Sequence, residues 1–272
     1  MPASSPSARA DLNDTVTAVF GQPVVRVTLN RPAQRNPLDR TTVARLAEIV
    51  RAVDEDPIAR VAVIRGAGGH FSAGGDLKGY VDLYRRPDAF RAFLEDFHGL
   101  LSRMERSDRI WIAVIDGYCV AGGLEVLLAC DIVVAARSAK IGDAHAGYGQ
   151  LPGAGGSQRL PRTVGPLRAR YLMLTGEILG AAEAERIGLA SVVFPDDELD
   201  ARTERLVQGL LDASPLGLAG MKRLVHEGLR MDVDDALRME LDFVVDYATT
   251  SVDATEGLAA FQDKRKPRFT GR

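Results

Sequence analysis

The stretch over residues 116–160 constrains this chain more than any other. It reads Asp116-Gly117-Tyr118-Cys119-Val120-Ala121-Gly122-Gly123-Leu124-Glu125, then Cys130-Asp131, then Ile141-Gly142-Asp143-Ala144-His145, then Leu151-Pro152-Gly153-Ala154-Gly155-Gly156-Ser157-Gln158-Arg159-Leu160. The apolar run 110–115 that feeds into it predicts a buried strand, and Leu124 with residues 126–129 predicts a short buried helix. Strand, glycine turn and helix in that order aim free backbone N–H groups at an anion. Glu125 falls one step inside the helix in apolar company, where a carboxylate is paired, neutral or used in chemistry.

The 272 residues, 46% of them apolar, suit one large domain or a core with an appendage. A net charge of -3 gives no reason to expect nucleic-acid binding, and no stretch approaches a membrane span. Cys119 and Cys130 sit in apolar context and read as buried thiols of a reducing compartment, not as a disulfide framework. His70, His98, His145 and His226 are scattered, so no metal is expected. Residues 1–15 are expected to be a disordered tail: they open Ser/Pro/Ala-rich and lack the apolar core of a signal peptide. The expected location is cytoplasmic.

In chain order, residues 24–29 alternate and are β-branched, which predicts a strand. A polar loop follows, and then Val43, Leu46, Val50 and Val53 repeat at helical spacing until Pro57. Residues 61–65 predict a second strand, and the segment 66–76 behind it carries five glycines. Such density after a strand reads as close backbone approach or positive φ, or else as a flexible surface loop. Residues 80–109 are charged, with Phe90, Phe93, Leu94, Phe97, Leu100, Leu101 and Met104 at roughly helical spacing, and predict a helix over the site. Further strands are expected at 132–135 and 191–194, and helices at 164–174 and 181–187. Beyond residue 195 the helices 199–211, 216–229, 236–247 and 254–266 follow one another, so a soft boundary falls near Asp196. The order suits an α/β layer structure. A dinucleotide-binding reading fails, because Gly153-Ala154-Gly155-Gly156-Ser157-Gln158 breaks the glycine fingerprint at its last position. A hydrolase nucleophile elbow fails at residues 155–159 as well.

The two glycine turns together resemble the crotonase superfamily, the enoyl-CoA hydratase/isomerase family. Phe71-Ser72-Ala73-Gly74-Gly75-Asp76-Leu77-Lys78 is similar to its first motif, residues 116–125 with Cys130-Asp131 to its second, and residues 151–160 to its third. Phe261-Gln262-Asp263-Lys264-Arg265-Lys266-Pro267 is similar to its C-terminal signature. The resemblance implies an α/β fold, a crotonase-like superhelix of ββα repeats over residues 16–195, with a helical trimerisation region over 196–272. It implies an acyl-CoA thioester as substrate, whose coenzyme A portion takes the place of a cofactor, and a homo-oligomer, trimer or hexamer. It further implies that the N–H groups of Gly75 and Gly122 form an oxyanion hole for the thioester enolate. Ala73, Gly74, Asp76, Leu77 and Lys78 would line the adenine and pantetheine path. Lys78 and Lys264 would reach phosphates with Phe261 packing nearby, from an adjacent subunit if not their own; the alternative is that both lysines are merely solvated.

Hydratases of this family carry two catalytic glutamates. Glu125 matches the first, and the second position is His145 with the spacing intact. That substitution weighs against simple enoyl isomerisation and leaves two classes open. One is an acyl-CoA lyase, hydratase-like, in which Glu125 and His145 share proton transfer, with hydrolysis or C–C cleavage as its variant. The other is an acyl-CoA-binding protein with vestigial catalysis, His145 being structural. Asp143 precedes His145 by two residues, and an extended backbone there would put both on one face. Asp82, Tyr84, Arg85, Arg86 and Arg91 in the covering segment point to a polar acyl tail or to ordinary solvated charge.

Overall fold

The computed structural model describes residues 15–272, so the expected tail lies outside the described residues except at Thr15. In chain order the strands are β1 (Val16–Val19), β2 (Val24–Leu29), β3 (Val61–Gly66), β4 (Ile110–Ile115), β5 (Tyr118–Val120), β6 (Ile132–Ala136), β7 (Lys140–Gly142), β8 (Ile178–Gly180) and β9 (Val192–Phe194). The helices are α1 (Arg40–Glu55), α2 (Leu77–Leu83), α3 (Pro87–Arg106), α4 (Gly122–Leu127), α5 (Gly156–Val164), α6 (Pro166–Thr175), α7 (Ala181–Arg186), α8 (Leu199–Leu211), α9 (Pro215–Gly228), α10 (Val233–Thr250) and α11 (Val252–Gln262).

A six-stranded sheet runs in the order β1-β2-β3-β4-β6-β9, and only its β1–β2 pair is antiparallel. Parallel neighbours need crossovers, which α1 and the α2–α3 pair supply on either side of β3. Every residue of β4 is buried, as an unbroken Ile-Trp-Ile-Ala-Val-Ile run requires of a strand covered on both faces. On one face Ala62, Ile64, Trp111, Ala113 and Ile115 pack with Val43, Leu46 and Val50 of α1 and Phe97, Leu101 and Met104 of α3. On the other face Val61, Ile112 and Val134 pack with Leu199 and Val207 of α8. Asp39 starts α1 as an N-cap, accepting from the Thr42 N–H at 2.8 Å.

A second, small sheet runs β5-β7-β8. Two of its strands are excursions between a main-sheet strand and the next helix: β4, β5 and α4 follow one another, and β6, β7 and α5 repeat the step, while β8 enters between α6 and α7. Behind β3 the excursion shrinks to one bridge, Ser72 with Cys119, before α2 begins. This is the ββα repeat that the resemblance implies.

The expected helix over 80–109 is in fact two. Pro87 opens α3, and a residue before proline is pushed out of the helical region; Arg86 lies at φ -130, ψ 79. The sequence reading also missed β1, β5, β7 and β8. These strands have three or four residues, too short to show an alternation, and their partners are distant in sequence. Both cysteines are free thiols, Cys119 fully buried.

After β9 the described elements are helical. The α8 helix belongs to the packing of the main sheet, through Leu199 and Val207. Asp131, quoted beside Cys130 in the second motif, accepts from the Trp111 N–H at 2.7 Å and from Lys222 Nζ of α9 at 2.9 Å. That ion pair ties α9 to the start of β4. By contrast, α10 buries none of its residues and exposes Leu237, Leu241, Val244 and Val245.

Candidate active site

The first glycine turn follows β3 and is held from outside. Asn36 is buried, and its Nδ2 donates to the carbonyls of Ala67 at 2.9 Å, His70 at 2.8 Å and Phe71 at 3.2 Å. Its Oδ1 accepts from the Arg31 N–H at 2.8 Å, and its own carbonyl accepts from Ser72 Oγ at 2.7 Å. Ser72 Oγ in turn accepts from the Gly74 N–H at 3.1 Å. The β2–α1 loop then closes on the turn: the Ala73 N–H donates to the Arg35 carbonyl and the Leu38 N–H to the Gly74 carbonyl, both at 2.8 Å. Gly74 meets both demands that the glycine density suggested. Its φ is +92, and a Cβ there would come within 2.7 Å of the Ala121 Cβ.

The second turn lies against the first. The Ser72 N–H donates to the Tyr118 carbonyl and the Val120 N–H to the Ser72 carbonyl, each at 3.1 Å. Ala121 then swings the chain into α4 at φ 50, ψ -121, a region that costs a non-glycine residue about 1–3 kcal/mol. Gly122, first residue of α4, has no acceptor inside the helix. Among the described residues the Gly75 and Gly122 N–H groups donate to nothing. They lie close together, since a Cβ added at Gly122 would be 3.6 Å from the Gly75 nitrogen.

One turn into α4, Glu125 is 2% exposed. Its Oε1 accepts from the Ala154 N–H at 2.7 Å and the Gly156 N–H at 2.8 Å. This gives the third motif a purpose that sequence reading left open: residues 152–156 wrap the carboxylate with backbone donors. Arg159 pins the wrap, donating to the Ala154 carbonyl at 2.9 Å and pairing with Glu105 at 2.8 Å. Burial pushes the Glu125 carboxyl above the usual carboxylate range; the Gly156 N–H, the His145 charge and the Ala154 N–H hold it back only in part.

His145 reaches the same space by another geometry than expected. The segment is not extended: Ala144 has φ 57 and His145 is in the right-handed helical region, opening a short 3-10 turn. The tight turn brings His145 Nδ1 to 3.1 Å from Asp143 Oδ2, and the His145 N–H donates to Asp143 Oδ1 at 3.3 Å. When the ring is protonated, Nδ1 and Oδ2 face one another as an ion pair. Burial draws the imidazole pKa down, but the adjoining Asp143 and then Glu125 outweigh it, so it lies above its ordinary 6.5.

One cavity of ≈ 420 Å³ is lined by Gly75, Gly122, Glu125 and His145 together. Its wall is apolar and aromatic, from Tyr80, Tyr84, Phe90, Leu94 and Phe97 of the α2–α3 pair. The sequence places a helix over the site and names Tyr84 for a polar acyl tail or solvated surface, but gives Tyr80, Phe90, Leu94 and Phe97 no role in the site. Their i, i+4 spacing in Tyr80/Tyr84 and Phe90/Leu94 was the available signal. At the rim, Tyr84 Oη donates to Gln150 Oε1. Ala73 and Leu77 line the cavity as well. Gly74 and Asp76 stand in the loop behind it, Asp76 capping α2 through the Lys78 N–H at 3.2 Å. Lys78 projects into solvent, and the chain does not bring Phe261 or Lys264 to the cavity; Phe261, at the end of α11, is 84% exposed.

Parallel main sheet, ββα excursions and a helical C-terminal run define a crotonase-type fold. The chain belongs to the enoyl-CoA hydratase/isomerase family, whose model matches residues 20–272, and is an acyl-CoA-processing enzyme of that family. It is 36% identical over 261 residues to a probable enoyl-CoA hydratase, echA8, of Mycobacterium bovis, covering 95% of this chain and 99% of that one. It is 35% identical over 244 residues to a crotonyl-CoA hydratase of Syntrophomonas wolfei, covering 89% and 92%. Among solved structures, an enoyl-CoA hydratase from Bacillus anthracis superposes with a TM-score of 0.89 at 31% identity, covering 95% of this chain and all of that one.

The knot at Asn36 makes a direct prediction. Asn36→Ala strands the buried carbonyls of Ala67, His70 and Phe71, and should lower unfolding stability by about 3 kcal/mol. Urea denaturation measures this; a loss under about 0.5 kcal/mol, the range of ordinary surface changes, would show that the turn holds itself.

Proposed function

We propose that this enzyme is a hydratase-type lyase, adding water across the C2–C3 double bond of an enoyl-CoA thioester with a Glu125–His145 pair. The observation that carries the reading is the convergence of two unclaimed amides, a buried carboxylate and an imidazole on one cavity. The Gly75 and Gly122 N–H groups receive the thioester oxygen. As water attacks C3, the C3–O bond forms, the π electrons move to that oxygen as an enolate, and the water proton passes to Glu125. The enolate then collapses, C2 takes a proton from the His145 imidazolium, and the thioester carbonyl returns. Donors set in place before charge develops are worth a few kcal/mol each in the barrier. The raised pKa values suit these roles: Glu125 is a stronger base than a free carboxylate, and His145 holds its proton closer to neutrality.

Coenzyme A enters as part of the substrate, with no separate cofactor. Its phosphates lie toward Lys78, and Phe261 with Lys264 reach it from a neighbouring protomer, since within one chain neither lines the cavity. The assembly is then a trimer or hexamer, and the exposed apolar residues of α10 supply interface surface. Light scattering of the purified protein should give a multiple of three chains; a monomer at micromolar concentration rejects this.

Hydration is followed with crotonyl-CoA as loss of the conjugated enoyl-thioester absorbance. Glu125→Gln should lower turnover by about 10³-fold while leaving saturated CoA-ester binding intact. Unchanged turnover removes Glu125 from the mechanism, and release of free CoA, seen with a thiol reagent, would move the reading to hydrolysis or C–C cleavage.

The pH profile of kcat/KM should be a bell. Its acid limb follows ionisation of Glu125 and lies above the usual carboxylate range; its alkaline limb follows loss of the His145 proton above pH 6.5. Asp143→Asn removes the charge that opposes burial at His145, so the alkaline limb should move to lower pH. An unmoved limb would detach Asp143 from the proton transfer.

A further inference from the structure

The aromatic wall of the cavity contains one polar group that the mechanism leaves unused. Tyr80 lies on α2 with its ring against Tyr84, Phe93 and Phe90, at centroid distances of 5.7, 6.1 and 6.2 Å. Its hydroxyl rests on the first glycine turn: a Cβ added at Gly75 would lie 2.2 Å from Tyr80 Oη, so the phenol touches the Gly75 Cα. Among the described residues Tyr80 Oη has no hydrogen-bond acceptor. Its neighbour Tyr84 differs, because its hydroxyl is taken by Gln150. Burial, then the Glu125 charge, raise the Tyr80 phenol above its ordinary value, so at neutral pH it is a donor and not a phenolate.

Tyr80 Oη therefore faces the cavity as an unengaged donor beside Phe90, Leu94 and Phe97, while the Tyr84 hydroxyl is taken by Gln150. Phenylalanine would fill the same space without that donor. The thioester oxygen already has two amide donors, and Tyr80 Oη abuts the Gly75 Cα on the side of the α2–α3 wall. We propose that Tyr80 is a specificity-determining residue, donating a hydrogen bond to an oxygen carried on the acyl chain itself, within a few carbons of the thioester. The substrate class is then an oxygenated acyl-CoA, not a plain hydrocarbon one. This rests on the acyl-CoA reading of the cavity and not on the hydration step.

The test is calorimetric binding of saturated, unreactive CoA thioesters to the full-length protein, in isosteric pairs that exchange an oxo group for a methyl branch at carbon 3, 4 or 5. The wild type should bind the oxo member about tenfold tighter at one of these positions. Tyr80→Phe should abolish that preference and leave the methyl member's affinity unchanged, with an unaltered melting temperature. Equal weakening of every ester by Tyr80→Phe would make the phenol a third donor to the thioester and overturn the proposal. So would a wild type without preference, or a preference that survives the substitution. Binding of no ester at all would overturn the acyl-CoA reading too, and is distinct from indiscriminate binding, which overturns only the role of Tyr80.

Discussion

Two backbone hydrogen bonds hold the active centre together: the Ser72 N–H to the Tyr118 carbonyl, and the Val120 N–H to the Ser72 carbonyl. They join segments nearly fifty residues apart in sequence, and each segment ends in a glycine whose amide is left free. Neither amide alone distinguishes an enolate from a carbonyl. Side by side, and fixed before charge develops, they are the pair that the proposed mechanism uses to hold the enolate without reorganising. The Asn36 knot, the Asp39 cap on α1 and the burial of Ser72 all keep this short ladder in place.

Electrostatics in the cavity follow from burial more than from net charge. Glu125 gives one oxygen to two backbone donors, which keeps a carboxylate bearable in an apolar surround without neutralising it. Asp143 does for His145 what those amides do for Glu125, favouring the charged form of the ring from 3.1 Å away. Each of the pair lies above its ordinary pKa, and the two charges oppose one another across the cavity. A glutamate in place of His145 would put two carboxylates there; the imidazole makes the pair complementary.

Strain is concentrated where geometry matters. Ala121 and Ala144 hold positive φ without being glycine, and each immediately precedes a residue facing the cavity, Gly122 and His145. The surrounding pairings over-determine both turns. The Ala121 N–H donates to the Gly142 carbonyl at 3.2 Å, so the turn that presents Gly122 is tied to the strand that leads to Asp143 and His145.

The long apolar strands, the amphipathic α1 and α3, and the helical run after residue 195 were legible because their patterns are local and periodic. The glycine turns were legible as motifs, and so was the replacement of a carboxylate by His145, because spacing survives in a linear string. What the string did not contain was proximity. It did not reveal that residues 152–156 donate to Glu125, that Asn36 fastens a loop thirty residues away, or that a left-handed Ala144 and not an extended strand brings Asp143 to His145. Nor did it single out Tyr80, which as one aromatic among several on an apolar helix face looks like core. Local periodicity is written residue by residue and can be read from sequence. Backbone donors without side-chain signatures, and contacts made by chain reversal, exist only once the sheet has closed and placed them.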